Sequence, residues 1–210
     1  MPFYMKKIFA LALLSGLTSA AQAQTVIKAG TVQLGGNVGY SRSSQDRLAL
    51  FNGNIPVKQT DTSSQFSIAP SVGFFVADNL AVGINANYQS TSQYDARYYQ
   101  VGAFVQYYKM VSEQFGFTGT LGAGYQHANY SAGFSDKQNG FYAGLTPGLV
   151  FFPIPKLSIG ASIGGLNYSY LSSKANNFIG NGSDTYSSST FGANFGLSQL
   201  LFSGTYYFGR

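Results

Sequence analysis

Leu80-Ala81-Val82-Gly83-Ile84-Asn85-Ala86-Asn87-Tyr88-Gln89 carries an apolar residue at every second position. Leu80, Val82, Ile84, Ala86 and Tyr88 fall on one side of an extended chain, and Gly83, Asn85, Asn87 and Gln89 on the other. Period-two alternation of this kind predicts a β-strand with two unlike faces. Neither face carries a charge. The apolar face is therefore made for an apolar medium, and the other for neutral hydrogen-bonding groups.

The same pattern recurs along the chain. Residues 30–42 place Val32, Leu34, Val38 and Tyr40 opposite Thr31, Gln33, Asn37 and Ser41. Residues 64–76 alternate likewise, with Pro70 predicting a bulge or a locally lost hydrogen bond, since proline has no N–H. Further strands are predicted over 98–109, 115–126, 139–152, from 157 onward, and over 190–208. In the seventh the phase slips near Gly164-Gly165, predicting a β-bulge. The eighth slips between Leu197 and Phe202. Eight strands result, joined alternately by longer polar loops (43–63, 92–97, 127–138 and 171–189) and by brief turns. Arg47-Leu48-Ala49-Leu50-Phe51 in the first loop has two open readings, docking an apolar partner or capping a barrel mouth.

Composition identifies the solvent. Charged residues make up 9% of the chain, against about 25% in a typical soluble domain. Tyr and Phe number 16 and 18, too many for a disordered chain. After the N-terminal segment no run approaches the roughly 18 apolar residues of a membrane-crossing helix. A closed barrel is the remaining structure that satisfies every backbone group in lipid. The charges that exist, such as Asp46, Lys58, Arg97, Lys137 and Lys174, fall in or beside the connections, and almost none lies mid-strand. A Lys or Arg on a lipid face at mid-bilayer costs about 2–4 kcal/mol. Aromatics form two prospective girdles, Tyr40, Tyr88, Tyr125 and Tyr168 toward the long loops, and Phe74, Tyr107, Phe115, Phe117, Phe151 and Phe208 toward the turns. The reading is an all-β, eight-stranded antiparallel up-and-down transmembrane barrel.

The N-terminus reads as a cleavable export signal over residues 1–23, followed by the barrel domain over 24–210. Lys6 and Lys7 precede the apolar run from Ile8 to Leu14, and Ala21-Gln22-Ala23 sets the cleavage between Ala23 and Gln24. Met1 and Met5 are both candidate starts. The chain has no Cys, so no disulfide framework holds it. Without Lys6 and Lys7 ten basic and seven acidic residues leave a net charge of +3, and no basic cluster suggests nucleic acid.

These residues resemble the small bacterial outer-membrane β-barrel domain family, the OmpX- and OmpW-like, porin-family group. Phe75-Val76-Ala77-Asp78-Asn79-Leu80-Ala81-Val82-Gly83 resembles its short-turn hairpin, and Phe104-Val105-Gln106-Tyr107-Tyr108 a second motif in which many relatives carry Arg where Gln106 stands here. Gly204, Tyr206 and Phe208 resemble the closing aromatic signal read by the barrel-assembly machinery, though Gly209 and Arg210 follow it. The resemblance implies localisation in the bacterial outer membrane, with membrane lipid and that machinery as partners. We expect a monomer, with any external ligand unidentified.

Chemistry-bearing constellations are sparse. The single His127, with Ser131 and Asp136 nearby, is the one candidate for a lipid-modifying or proteolytic site. One His, no Cys and scattered carboxylates give no metal site, no cofactor motif is present, and no enzyme is expected. The inward face offers Gln33, Asn37, Asn85, Asn87, Phe104, Gln106 and Tyr142 as its larger side chains, all neutral. That predicts a plugged or narrow lumen and a structural or surface-interaction role through four external loops. A narrow porin-like channel for small solutes is the alternative.

Overall fold

The computed structural model describes residues 26–51, 55–92, 95–130, 136–176 and 183–210. Eight strands close into an antiparallel barrel in chain order. They are β1 (Val32–Phe51), β2 (Ile55–Ala77), β3 (Leu80–Thr91), β4 (Ala96–Met110), β5 (Phe115–Tyr130), β6 (Asp136–Ile154), β7 (Leu157–Asn176) and β8 (Ser183–Phe208). The expected leader and the Ala23–Gln24 cleavage position lie outside the described residues.

The apolar face is outside, as the alternation requires. Leu34, Ile84, Leu121, Leu145 and Ile159 are all more than 40% exposed. In water such a surface would aggregate; in hydrocarbon it is the correct solvent contact. Both aromatic belts form: Tyr88 packs on Tyr99 and Phe141 on Tyr168 and Tyr170 near the long-loop side, while Phe115 meets Phe117 and Tyr206 meets Phe208 near the short turns. Between the belts the strands carry no Asp, Glu, Lys or Arg.

The irregularities fall where the residues dictate. Ile68 pairs with Tyr88 and Ser71 with Asn85 in one unbroken register, while Ala69 and Pro70 have no partner on β3. Pro70 therefore costs ladder bonds without adding a bulge. On β7 an extra residue is taken up at Ile163–Gly165, where Gly164 adopts φ 106°. On β8 residues 196–199 have no partner on β7, which moves the outward phase from Phe195 to Phe202.

Strand ends differ from expectation. Most of residues 43–63 form paired strand, from Arg42 opposite Ser64 to Phe51 opposite Ile55. β5 continues to Tyr130, and β7 and β8 extend to Asn176 and from Ser183. Outside the bilayer neither face of a strand needs to be apolar, so the alternation disappears while the pairing continues. Asp46 with Lys58 and Thr60, and Ser44 with Thr62, tie the first extension together. The backbone of Arg47–Phe51 belongs to β1; the side chains of these five residues lie outside the described ones.

Candidate functional site: the barrel lumen

The interior is built in layers. At the short-turn end Ile27, Phe75, Ala81, Tyr108, Met110, Val150, Phe152 and Tyr207 pack into an apolar floor, each at most 4% exposed. Phe75 lies 5.5 Å from the ring of Tyr108, and Phe152 lies 5.2 Å from that of Tyr207. The segment ahead of β1 seals the floor. Its Ile27 N–H donates to Asn79 Oδ1 and its Ile27 C=O accepts from Asn79 N–H, both at 2.9 Å. Gly30 N–H donates to the carbonyl of Phe75, and Phe75 N–H donates to that of Thr31. Asn79 sits at φ 61°, a left-handed conformation that Asn tolerates better than most residues.

Above the floor lies a neutral network. The Tyr108 hydroxyl is 2.8 Å from Gln33 Oε1, 2.9 Å from Gln106 Oε1 and 3.1 Å from the Tyr207 hydroxyl. Gln33 Nε2 donates to Gln106 Oε1 at 3.0 Å, and Ser158 meets Tyr207 at 3.1 Å. Gln106 thus hydrogen-bonds to its neighbours without needing a counter-charge, which an Arg there would require.

A cavity of about 630 Å³ follows, lined by amides, hydroxyls and a few apolar groups, with no charged side chain. Farther up, Tyr142 crosses the lumen to donate to Asn85 Oδ1 at 3.2 Å. It has room because Gly102 lies beneath it; a Cβ there would sit 2.4 Å from the Tyr142 hydroxyl. The uppermost layer centres on the fully buried Gln126, whose Nε2 donates to Ser169 Oγ at 2.6 Å while its Oε1 accepts from Tyr98. Gln100 Nε2 donates to the Tyr98 hydroxyl at 2.7 Å.

The outer membrane protein beta-barrel domain family matches residues 9–198. The chain belongs to that family. OprG of Pseudomonas aeruginosa, an outer membrane protein of known crystal structure, is 14% identical, with 87% of this chain and 98% of that one covered and a TM-score of 0.51. Neisserial surface protein A, NspA, is 16% identical, with 85% and 96% covered and a TM-score of 0.48. No curated protein sequence matches. The protein is an outer-membrane β-barrel.

Gln33, Asn37, Asn85, Asn87, Phe104, Gln106 and Tyr142 all line the lumen, as alternation predicted. Phe75, Phe152 and Tyr207 also face the lumen, beyond the residues that alternation picks out. Each was legible as the out-of-phase member of an aromatic pair, beside Phe74, Phe151 and Tyr206. His127 is corrected from loop to strand: it lies on the outward face of β5 opposite Asn139, because the fifth hairpin continues past the membrane belt. Its Nδ1 is 2.7 Å from Asn139 Oδ1, and its ring is 6.2 Å from that of Tyr99. Ser131 lies outside the described residues, and so does the side chain of Asp136. Among the described residues no group of His, Asp and Glu has metal-site spacing. Gly204, Tyr206 and Phe208 stand at the base of β8, with both rings facing outward.

Proposed function

We propose that this outer-membrane barrel is a structural or surface-interaction protein that meets the exterior through its projecting hairpins and passes no solute from end to end. The packed floor carries this reading. A hydrated path along the axis would have to part Phe75, Tyr108, Phe152 and Tyr207 and lift the Ile27–Thr31 segment from its bonds to β2 and the β2–β3 turn. The long hairpins support the other half of it. β8 has 26 residues and β2 has 23, against the roughly 9–11 needed to cross a bilayer. The surplus presents paired backbone with Ser, Thr, Gln and isolated charges to the outside.

Gly204, Tyr206 and Phe208 serve in this reading as the assembly signal, and the mature protein acts as a monomer. A catalytic role for His127 finds little support, because the group positioned at its Nδ1 is a neutral amide and not a carboxylate. The test is single-channel recording in planar bilayers. Absence of stable conductance steps is the expected result. Large, long-lived steps would overturn the closed lumen and favour the narrow channel.

A further inference from the structure

The seam that closes the barrel, between β1 and β8, is short. β1 pairs with β8 only from Val32 opposite Phe208 to Gly36 opposite Gly204, five pairs, whereas β3–β4 has twelve and β4–β5 fourteen. Beyond Gly36, β1 continues to Phe51 against β2 alone, and above Gly204 β8 runs against β7 alone, with 196–199 paired to neither strand. Two free strand edges result. They begin below Tyr40, which belongs to the long-loop aromatic belt, so the lower part of this slot lies within the hydrocarbon.

The side chains flanking the slot show the missing neighbours. Val38 and Tyr40 on β1 are 71% and 69% exposed, and Phe191 on β8, which is paired with β7, is 71% exposed. No outward apolar residue described on β2 to β7 exceeds the 60% of Ile84. The slot is also continuous with the interior. Gly36 and Asn37 on one side, and Leu201, Ser203 and Thr205 on the other, belong to the wall of the 630 Å³ cavity.

The geometry points to a lateral binding site for an amphiphile with an uncharged polar head. Free backbone N–H and C=O groups in hydrocarbon cost several kcal/mol each unless something hydrogen-bonds to them. A hydroxyl- or amide-bearing head lodged in the cavity does so, and finds Asn37, Ser203, Thr205 and Gln33 beside it. Its acyl chain leaves through the slot between Val38 and Phe202 into the bilayer. The cavity wall offers no cation, so a phosphate or carboxylate head would lose its hydration without gaining a partner. A second copy pairing along the same edges would satisfy the backbone but leave the polar cavity behind them unused. The site needs only the open side of the lumen and stands whether or not the short-turn end conducts.

The absence of cysteine makes the test direct. Ser203→Cys, inward beside the slot, and Thr118→Cys, inward on β5, are each labelled with bimane and placed in phosphatidylcholine vesicles. Heat-dependent mobility in SDS checks that both remain folded. Monoacylglycerol brominated on its acyl chain is then added. We expect saturable quenching at Ser203→Cys several-fold stronger than at Thr118→Cys, and weak quenching by the brominated fatty acid anion or brominated phosphatidylcholine. Equal quenching at the two positions, or none at Ser203→Cys, would overturn the site. Equal quenching by all three lipids would overturn the selectivity for a neutral head. A disulfide-linked dimer of Val38→Cys formed in high yield in the same vesicles would assign the edges to a second copy instead.

Discussion

The hydroxyls of Tyr108 and Tyr207 meet at 3.1 Å across the short-turn mouth, joining β4 to β8 over 99 residues of sequence. Each ring also packs against Phe75. The pair is both the top of the apolar floor and the base of the polar network. Tyr207→Phe keeps the packing and removes one hydroxyl, leaving Ser158 and Tyr108 short of a partner. We expect a loss of about 1–3 kcal/mol, the usual cost of an unsatisfied buried group. The unfolding midpoint in urea, read from the heat-modifiable band, checks it. An unchanged midpoint would mean that water replaces the hydroxyl without loss.

Gly83 shows how tightly the inner face of β2 and β3 is built. A Cβ at this position would lie 2.2 Å from the carbonyl oxygen of Val72 and 2.6 Å from the Phe104 ring. The first contact is with backbone and cannot be relieved by a rotamer change. Gly83→Ala is expected to destabilise the barrel by about 1–3 kcal/mol through overpacking. Phe104→Ala in the same chain should restore only part of that. Gly119→Ala has nothing within 4 Å of the new methyl and should leave the urea midpoint where it was.

Legibility in the sequence followed the membrane. Where a strand crosses lipid it must be apolar on one face and neutral on the other, so Leu80–Gln89 announces both strand and solvent. Where it leaves the membrane that requirement ends, and residues 43–63 read as loop although 43–51 and 55–63 are paired strand. His127 was misplaced for the same reason. The lumen-facing amides were readable from parity alone, and so was the slip at Gly164–Gly165. The floor was not read, because it depends on a segment folding back from ahead of β1. Ile27 and Asn79 are 52 residues apart, and no local pattern links them. The short β1–β8 seam was equally hidden, since pairing between the first and last strands leaves no periodic trace.

Asp46 gives the first hairpin a pH dependence. Its carboxylate lies 2.8 Å from the Lys58 ammonium and accepts from the Thr60 hydroxyl at 2.7 Å, and both hold its pKa below the ordinary value of 3.8. A depressed pKa in the folded state means that the stabilisation is fully present above the unfolded value and is lost as pH falls through the folded one. The group is fully exposed, so the effect is local to the hairpin. Amide exchange in the β1–β2 extension, corrected for intrinsic pH dependence, should lose protection below pH 3.8 while β3–β5 keeps its own. Lys58→Gln should shift that loss to higher pH. Equal sensitivity in the variant and the parent would show that the pair does not hold the extension.

Asn79 separates sealing of the floor from strain in its turn. Its side-chain carbonyl accepts from Ile27 N–H, its own N–H donates back to Ile27, and its main-chain carbonyl accepts from Tyr108 N–H at 2.9 Å. Its φ of 61° is a conformation available to Gly and costly for Ala. Asn79→Gly therefore removes the side-chain half of the clamp without strain, leaving the main-chain N–H bond to Ile27, and Asn79→Ala removes the same half with roughly 1–2 kcal/mol of strain added. We expect the Gly variant to fold with a near-parental urea midpoint but to expose the 26–31 segment to added protease. The Ala variant should show the same exposure and a lower midpoint as well. If the clamp is what seals the lumen, the Gly variant alone should begin to show brief conductance openings in planar bilayers. With Phe75→Ala added, those openings should lengthen. A silent double variant would place the barrier higher up, at the Gln126 and Tyr142 layers, which the floor mutations leave intact.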